Sequence, residues 1–177
     1  AQVFAGHPEK AHAAGVAFVS KVMLEEIDKP VDAVVTTCAG YPLDLTFYQA
    51  VKGVTAASHI VRDGGKILIC AECTEGTGAP EFREMIQQFS SPKSFLDAVK
   101  DAPVTVDQWQ LEKLALVLEK KQVVFLTPGV PAEYHAKMWG PVFSKFDLAM
   151  ASLTEGLSKG DTIAVIPEGP YVLARVS

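Results

Sequence analysis

The side chains best placed for chemistry lie in the stretch Gly40-Tyr41-Pro42-Leu43-Asp44-Leu45-Thr46-Phe47-Tyr48-Gln49-Ala50-Val51-Lys52. At about 100° per residue, Phe47, Ala50, Val51 and Val54 form the apolar face of a helix. Tyr48, Gln49 and Lys52 fall together on a neighbouring stripe, within about 100° of arc. A phenol, an amide and an ammonium near a helix N-terminus suit a carboxylate clamp, because the helix dipole and the donors favour an anion. The same three residues also suit a solvated helix face. Trp109, in the first turn of a later helix, has two readings: it packs the helix start against Val104, or it walls a ligand.

Other candidate chemistry is thinner. Cys70-Ala71-Glu72-Cys73 is a lone cysteine pair at a strand end, whereas zinc wants a second pair or histidines at suitable spacing. A redox pair would open a helix, but Thr74-Glu75-Gly76 follows instead. Cys38 also ends a strand, so three thiols at one sheet edge would be the arrangement for a soft metal; buried cysteines are the alternative. Gly76-Thr77-Gly78-Ala79-Pro80-Glu81 begins like a dinucleotide fingerprint, yet a glutamate stands where the third glycine belongs. It serves better as a glycine loop before a helix. His7, His12, His59 and His135 form no metal-pair spacing, and no serine sits in a nucleophile-elbow sequence.

The elements that must position these residues alternate. Helices are predicted over Pro8–Ile27, from an Asp44 cap to about Arg62, over Pro80–Phe89, Pro92–Lys100, Pro131–Met138 and Phe146–Leu157, and from a Thr105-x-x-Gln108 capping box to about Lys121. Strands are predicted over Val31–Cys38, Lys66–Cys70, Gln122–Thr127, Asp161–Pro167 and Tyr171–Val176. This alternation predicts an α/β fold with an open, mostly parallel, Rossmann-like sheet and helices on both faces.

Composition sets the outer bounds. The 177 residues are 49% hydrophobic, enough for one well-buried domain without disulfide or metal staples. No apolar run reaches the roughly 18 residues of a membrane span and no signal sequence opens the chain, so a soluble, cytoplasmic protein without a membrane partner is expected. Three cysteines suit a reducing compartment. A net charge of −5 argues against a nucleic-acid partner.

Tyr41-Pro42-Leu43-Asp44, then Tyr48-Gln49-Ala50-Val51-Lys52-Gly53, Ala56-Ala57, Gly64-Gly65, Ala71-Glu72-Cys73-Thr74-Glu75-Gly76 and Asp107-Gln108-Trp109 together closely resemble the C-terminal half of the nickel-pincer-nucleotide lactate racemase family. The resemblance implies a racemase or epimerase of 2-hydroxy acids that works by reversible hydride transfer to a nickel-pincer nucleotide. It implies that the cofactor, its nickel and the acid–base histidines belong to an N-terminal domain preceding Ala1, so none of the four histidines takes a catalytic role. By motif, Gln49, Lys52, Tyr48 and Trp109 become substrate-binding residues, with Lys52 and Gln49 on the carboxylate. Residues 1–30 then read as a linker helix after that domain, 31–159 as the substrate-side domain, and 160–177 as closing strands that return to the N-terminal domain. A chain of this kind is expected to be inactive alone. The rival readings are a non-catalytic module that binds a small ligand or nucleotide, and a thiol redox protein built on Cys70 and Cys73.

Overall fold

A computed structural model describes residues 1–177. Helix α1 (Pro8–Met23) opens the chain and runs into strand β1 (Leu24–Ile27). The β-branched run that follows becomes β2 (Val31–Thr37), and the later apolar runs become β3 (Val61–Cys70), β4 (Gln122–Leu126), β5 (Val142–Phe143) and β6 (Ile163–Ile166). These five strands form one parallel sheet in the order β5-β4-β3-β2-β6. Val34 pairs with Ile67 on one side and Ala164 on the other, and Leu68 pairs with Val124. Ile67, Leu68 and Ile69 are all fully buried, which is why the central strand is apolar on both faces rather than alternating.

Helices cover both faces, but unequally. Helices α2 (Phe47–Ser58), α3 (Pro80–Gln88), α4 (Pro92–Val99), α5 (Gln108–Leu118) and α6 (Ala132–His135) share one core with Val34, Ile67, Ile69, Val123 and Phe125. The opposite face packs Ala33, Leu68 and Val124 against Ala149 and Leu153 of a single helix, α7 (Phe146–Thr154). Lys66 closes that helix by donating from Nζ to the carbonyls of Ser152 and Glu155 at 3.0 and 2.6 Å.

The last strand, β7 (Leu173–Val176), leaves this sheet and pairs in parallel with β1, Leu24 opposite Leu173 and Ile27 opposite Val176. The predicted helix over Pro8–Ile27 therefore ends four residues early, because Leu24–Ile27 finds a strand partner 149 residues away, tied by the Arg175–Glu26 ion pair. The predicted boundary at Gly64-Gly65 is also corrected. Those glycines lie inside β3, which begins at Val61 opposite Val31, and α2 stops at Ser58 rather than near Arg62. A side chain at Gly65 would strike the Asp32 carbonyl at 2.6 Å, while Gly64 takes φ +76° where the pairing of β2 with β3 shifts register, so the pair marks an irregularity within the strand instead of its start. No helix is long and apolar enough to cross a membrane.

Candidate functional site

Helix α2 carries the predicted clamp, and its start is more heavily tied down than the sequence suggested. Thr46, not Asp44, is the cap: its hydroxyl accepts from the Gln49 N–H at 3.3 Å. Asp44 is buried and accepts from the Glu72 N–H at 3.1 Å, pinning the loop after β3. The glycine loop supplies the rest of the cap, since the Phe47 N–H donates to the Gly76 carbonyl and the Tyr48 N–H to the Thr77 carbonyl, at 2.9 and 3.1 Å. The first-turn N–H groups are thus already satisfied, and an anion here must be held by side chains rather than by the bare helix end. Gly53 lets the helix lie close on the sheet: a Cβ there would sit 2.5 Å from the Thr37 carbonyl oxygen.

The start of α5 packs beside the start of α2. The Gln110 amide donates to the Tyr48 carbonyl at 2.7 Å, with its Oε1 buried and unpartnered. The Trp109 ring meets Tyr48 edge-on at 6.0 Å, and Tyr48 meets Phe82 edge-on at 5.2 Å. Lys113 lies over the Trp109 ring, 4.9 Å from its centroid. Val104 is 84% exposed, so the packing of Trp109 on Val104 is replaced by packing on Tyr48. The Thr105 box forms only in part: Gln108 Oε1 accepts from the Thr105 N–H at 3.1 Å, while Asp107, in the left-handed region at φ 62°, takes the cap position. Burial, then the carboxylate of Asp107 beside it, raises the Tyr48 hydroxyl above its ordinary pKa.

Between these helices lies a cleft of about 400 Å³. Lys52 and Thr55 of α2 and His59 just after it line one side, and Trp109, Gln110 and Lys113 of α5 the other. Val19 and Met23 of α1 and Leu173 of β7 close it. Lys52 and Trp109 are therefore brought together. Tyr48 touches Trp109 but lines a neighbouring depression with Thr46, Gly78 and Asp107, and Gln49 lines neither. Thr55, His59, Gln110 and Lys113 were not singled out from sequence. Their signal was helical periodicity: Lys52, Thr55 and His59 share one face of α2, as Trp109 and Lys113 do on α5.

A second crevice, of about 650 Å³, lies at the carboxyl ends of the strands, where Thr37, Cys70, Leu126 and Glu168 meet. Its thiol chemistry is quiet. Burial pushes Cys70 up to about 11, and burial followed by the Asp44 charge pushes Cys38 to about 11 and Cys73 to about 12. These shifts oppose a redox pair, which needs a lowered thiol pKa. No group of three or more His, Cys, Asp or Glu side chains is placed to hold a metal ion.

Residues 27–174 match the profile of the lactate racemase C-terminal domain. The chain belongs to that family. Lactate racemase from Thermoanaerobacterium thermosaccharolyticum is 35% identical over 176 residues, and lactate racemase from Lactiplantibacillus plantarum is 32% identical. Each alignment covers 97% of this chain but only 41% of the relative, so the chain spans about two-fifths of the length of these racemases. The structure of the T. thermosaccharolyticum lactate racemase apoprotein superposes with a TM-score of 0.87 at 34% identity, over 96% of this chain and 41% of that one. A Thermotoga maritima protein at 15% identity shares the fold, with a TM-score of 0.61.

Proposed function

We propose that this lactate racemase C-terminal domain supplies the substrate-binding side of a 2-hydroxy-acid racemase or epimerase. The observation that carries this reading is the cleft in which Lys52 meets Trp109 without any lining carboxylate. Lys52 binds the substrate carboxylate through its ammonium. Gln49, one turn earlier on the same helix but outside this cleft, is assigned to the same carboxylate by the family motif alone. Tyr48 and Trp109, locked edge to face, form the wall that orients the acid.

The nickel-pincer nucleotide implied by the resemblance is assigned to a further domain of the intact protein, and the roles assigned to this chain are binding and orientation of the acid. The hydride transfer implied by the resemblance, and the acid–base histidines, are assigned to a further domain of the intact protein. The 177-residue chain alone is then inactive; racemisation by the purified chain, free of metal and cofactor, would overturn this part.

The clamp is tested by Lys52→Ala in the intact enzyme. Losing one charge-assisted contact costs about 1.5–3 kcal/mol, or roughly 10- to 150-fold in carboxylate affinity. Kinetics unchanged across substrate concentrations would remove Lys52 from the site.

A further inference from the structure

Resting on the reading of Lys52 as the carboxylate anchor, we infer that the cleft holds a second anion subsite at Lys113, which suits it to a hydroxy acid bearing a second carboxylate.

The helices α2 and α5 each precede a strand of the same parallel sheet and so run in the same direction. The hydrogen bond from the Gln110 amide to the Tyr48 carbonyl ties the two helices together at their starts. Lys113 lies three residues beyond Gln110, and Lys52 four beyond Tyr48. Both lysines line the same cleft, Lys52 from α2 and Lys113 from α5.

Neither lysine is neutralised by the protein. The ion pairs of the chain are Arg62–Asp32, Lys93–Asp97, Lys121–Asp63 and Arg175–Glu26, and no Asp or Glu lines the cleft. In a chain of net charge −5, this leaves a local basic pocket. Lys113 is also held in place, since its ammonium rests over the Trp109 ring at 4.9 Å. A monocarboxylic acid neutralises Lys52 alone. A small dicarboxylic hydroxy acid answers both charges and fits a cleft of about 400 Å³.

The test compares malate with lactate. In the intact, cofactor-loaded enzyme, Lys113→Met should lower kcat/KM for malate at least about fivefold more than for lactate, whereas Lys52→Met should lower both alike. Binding to the 177-residue chain supplies a readout independent of turnover. Malate should change the tryptophan emission at lower concentration than lactate, the difference should vanish in Lys113→Met, and Trp109→Phe should remove the signal. If Lys113→Met weakens both acids equally, the two lysines share one carboxylate and the inference fails. It also fails if Lys113→Met alters neither, or if malate neither turns over nor binds preferentially. Those outcomes leave the clamp standing, provided Lys52→Met still impairs lactate. If Lys52→Met leaves lactate unaffected, the clamp itself falls and the inference with it.

Discussion

Cys38, Cys70 and Cys73 illustrate how burial decides the chemistry of a residue type. Each thiol is held at about 11 or 12, so almost none is thiolate at neutral pH. Cys38 is further engaged, its Sγ donating to the Gln49 carbonyl at 3.1 Å. Labelling of the folded chain by a disulfide reagent at pH 8 should therefore be slow, with fast stoichiometric reaction only in denaturant. Rapid labelling of Cys70 and Cys73 without denaturant would restore the redox reading. The same contrast runs through the clamp: Lys52 is exposed and free to meet an anion, while the nearby N–H groups of Phe47 and Tyr48 are consumed by the glycine loop.

At the scale of elements, α2 depends on its seat against β2 and β3. Gly53→Ala would place a methyl 2.5 Å from the Thr37 carbonyl oxygen and 2.7 Å from the Ile69 side chain. The backbone must shift to admit it, at a cost of about 1–3 kcal/mol, visible as a lower urea midpoint with an unchanged m-value. An unchanged midpoint would mean the helix can lift without loss. The junction of β2, β3 and β6 makes a different prediction. Asp32 accepts from the Thr162 N–H at 2.8 Å and from Arg62 Nε at 2.7 Å, which holds its carboxyl at about 2 instead of 3.8. A depressed folded pKa stabilises the protein above the unfolded value, and that contribution is lost as pH falls from about 4 to about 2. Across that window the thermal midpoint of wild type should fall further than that of Asp32→Asn. Parallel curves would show that the carboxylate contributes nothing.

For the whole molecule, stability and site architecture are unevenly distributed. The main core lies between the sheet and α2–α6, whereas α1 contributes no buried residue and leaves Val16, Val19 and Val22 exposed. Deleting residues 1–23 should barely move the thermal midpoint, yet it removes Val19, Ser20 and Met23 from the cleft and should weaken acid binding. A large drop in the midpoint would assign α1 to the cooperative unit. The chain spans two-fifths of the length of its racemase relatives, and the cleft lined by Lys52 and Trp109 opens beside this helix.

Local physics settled much of this in the sequence. β-Branched runs fixed the buried parallel strands, prolines at first helical turns opened α1, α3 and α4, and the Tyr-Pro-Leu-Asp to Tyr-Gln-Ala-Val-Lys stretch carried the family. These signals depend on neighbours within a few residues, so a linear reading recovers them. Tertiary structure alone decided the rest. Leu24–Ile27 became a strand only because Leu173–Val176 lies alongside it, and Gly64-Gly65 lies inside β3 because β2 pairs with that strand on both sides of a register shift there. Periodicity placed Tyr48, Gln49 and Lys52 on one stripe, but the packing of α5 separated them, drawing Lys52 into a cleft with Trp109 and Lys113 and leaving Gln49 outside it. Which side chains share a pocket is set by how the helices pack, and the hydrogen bond from Gln110 to the Tyr48 backbone is one contact that ties α5 to α2.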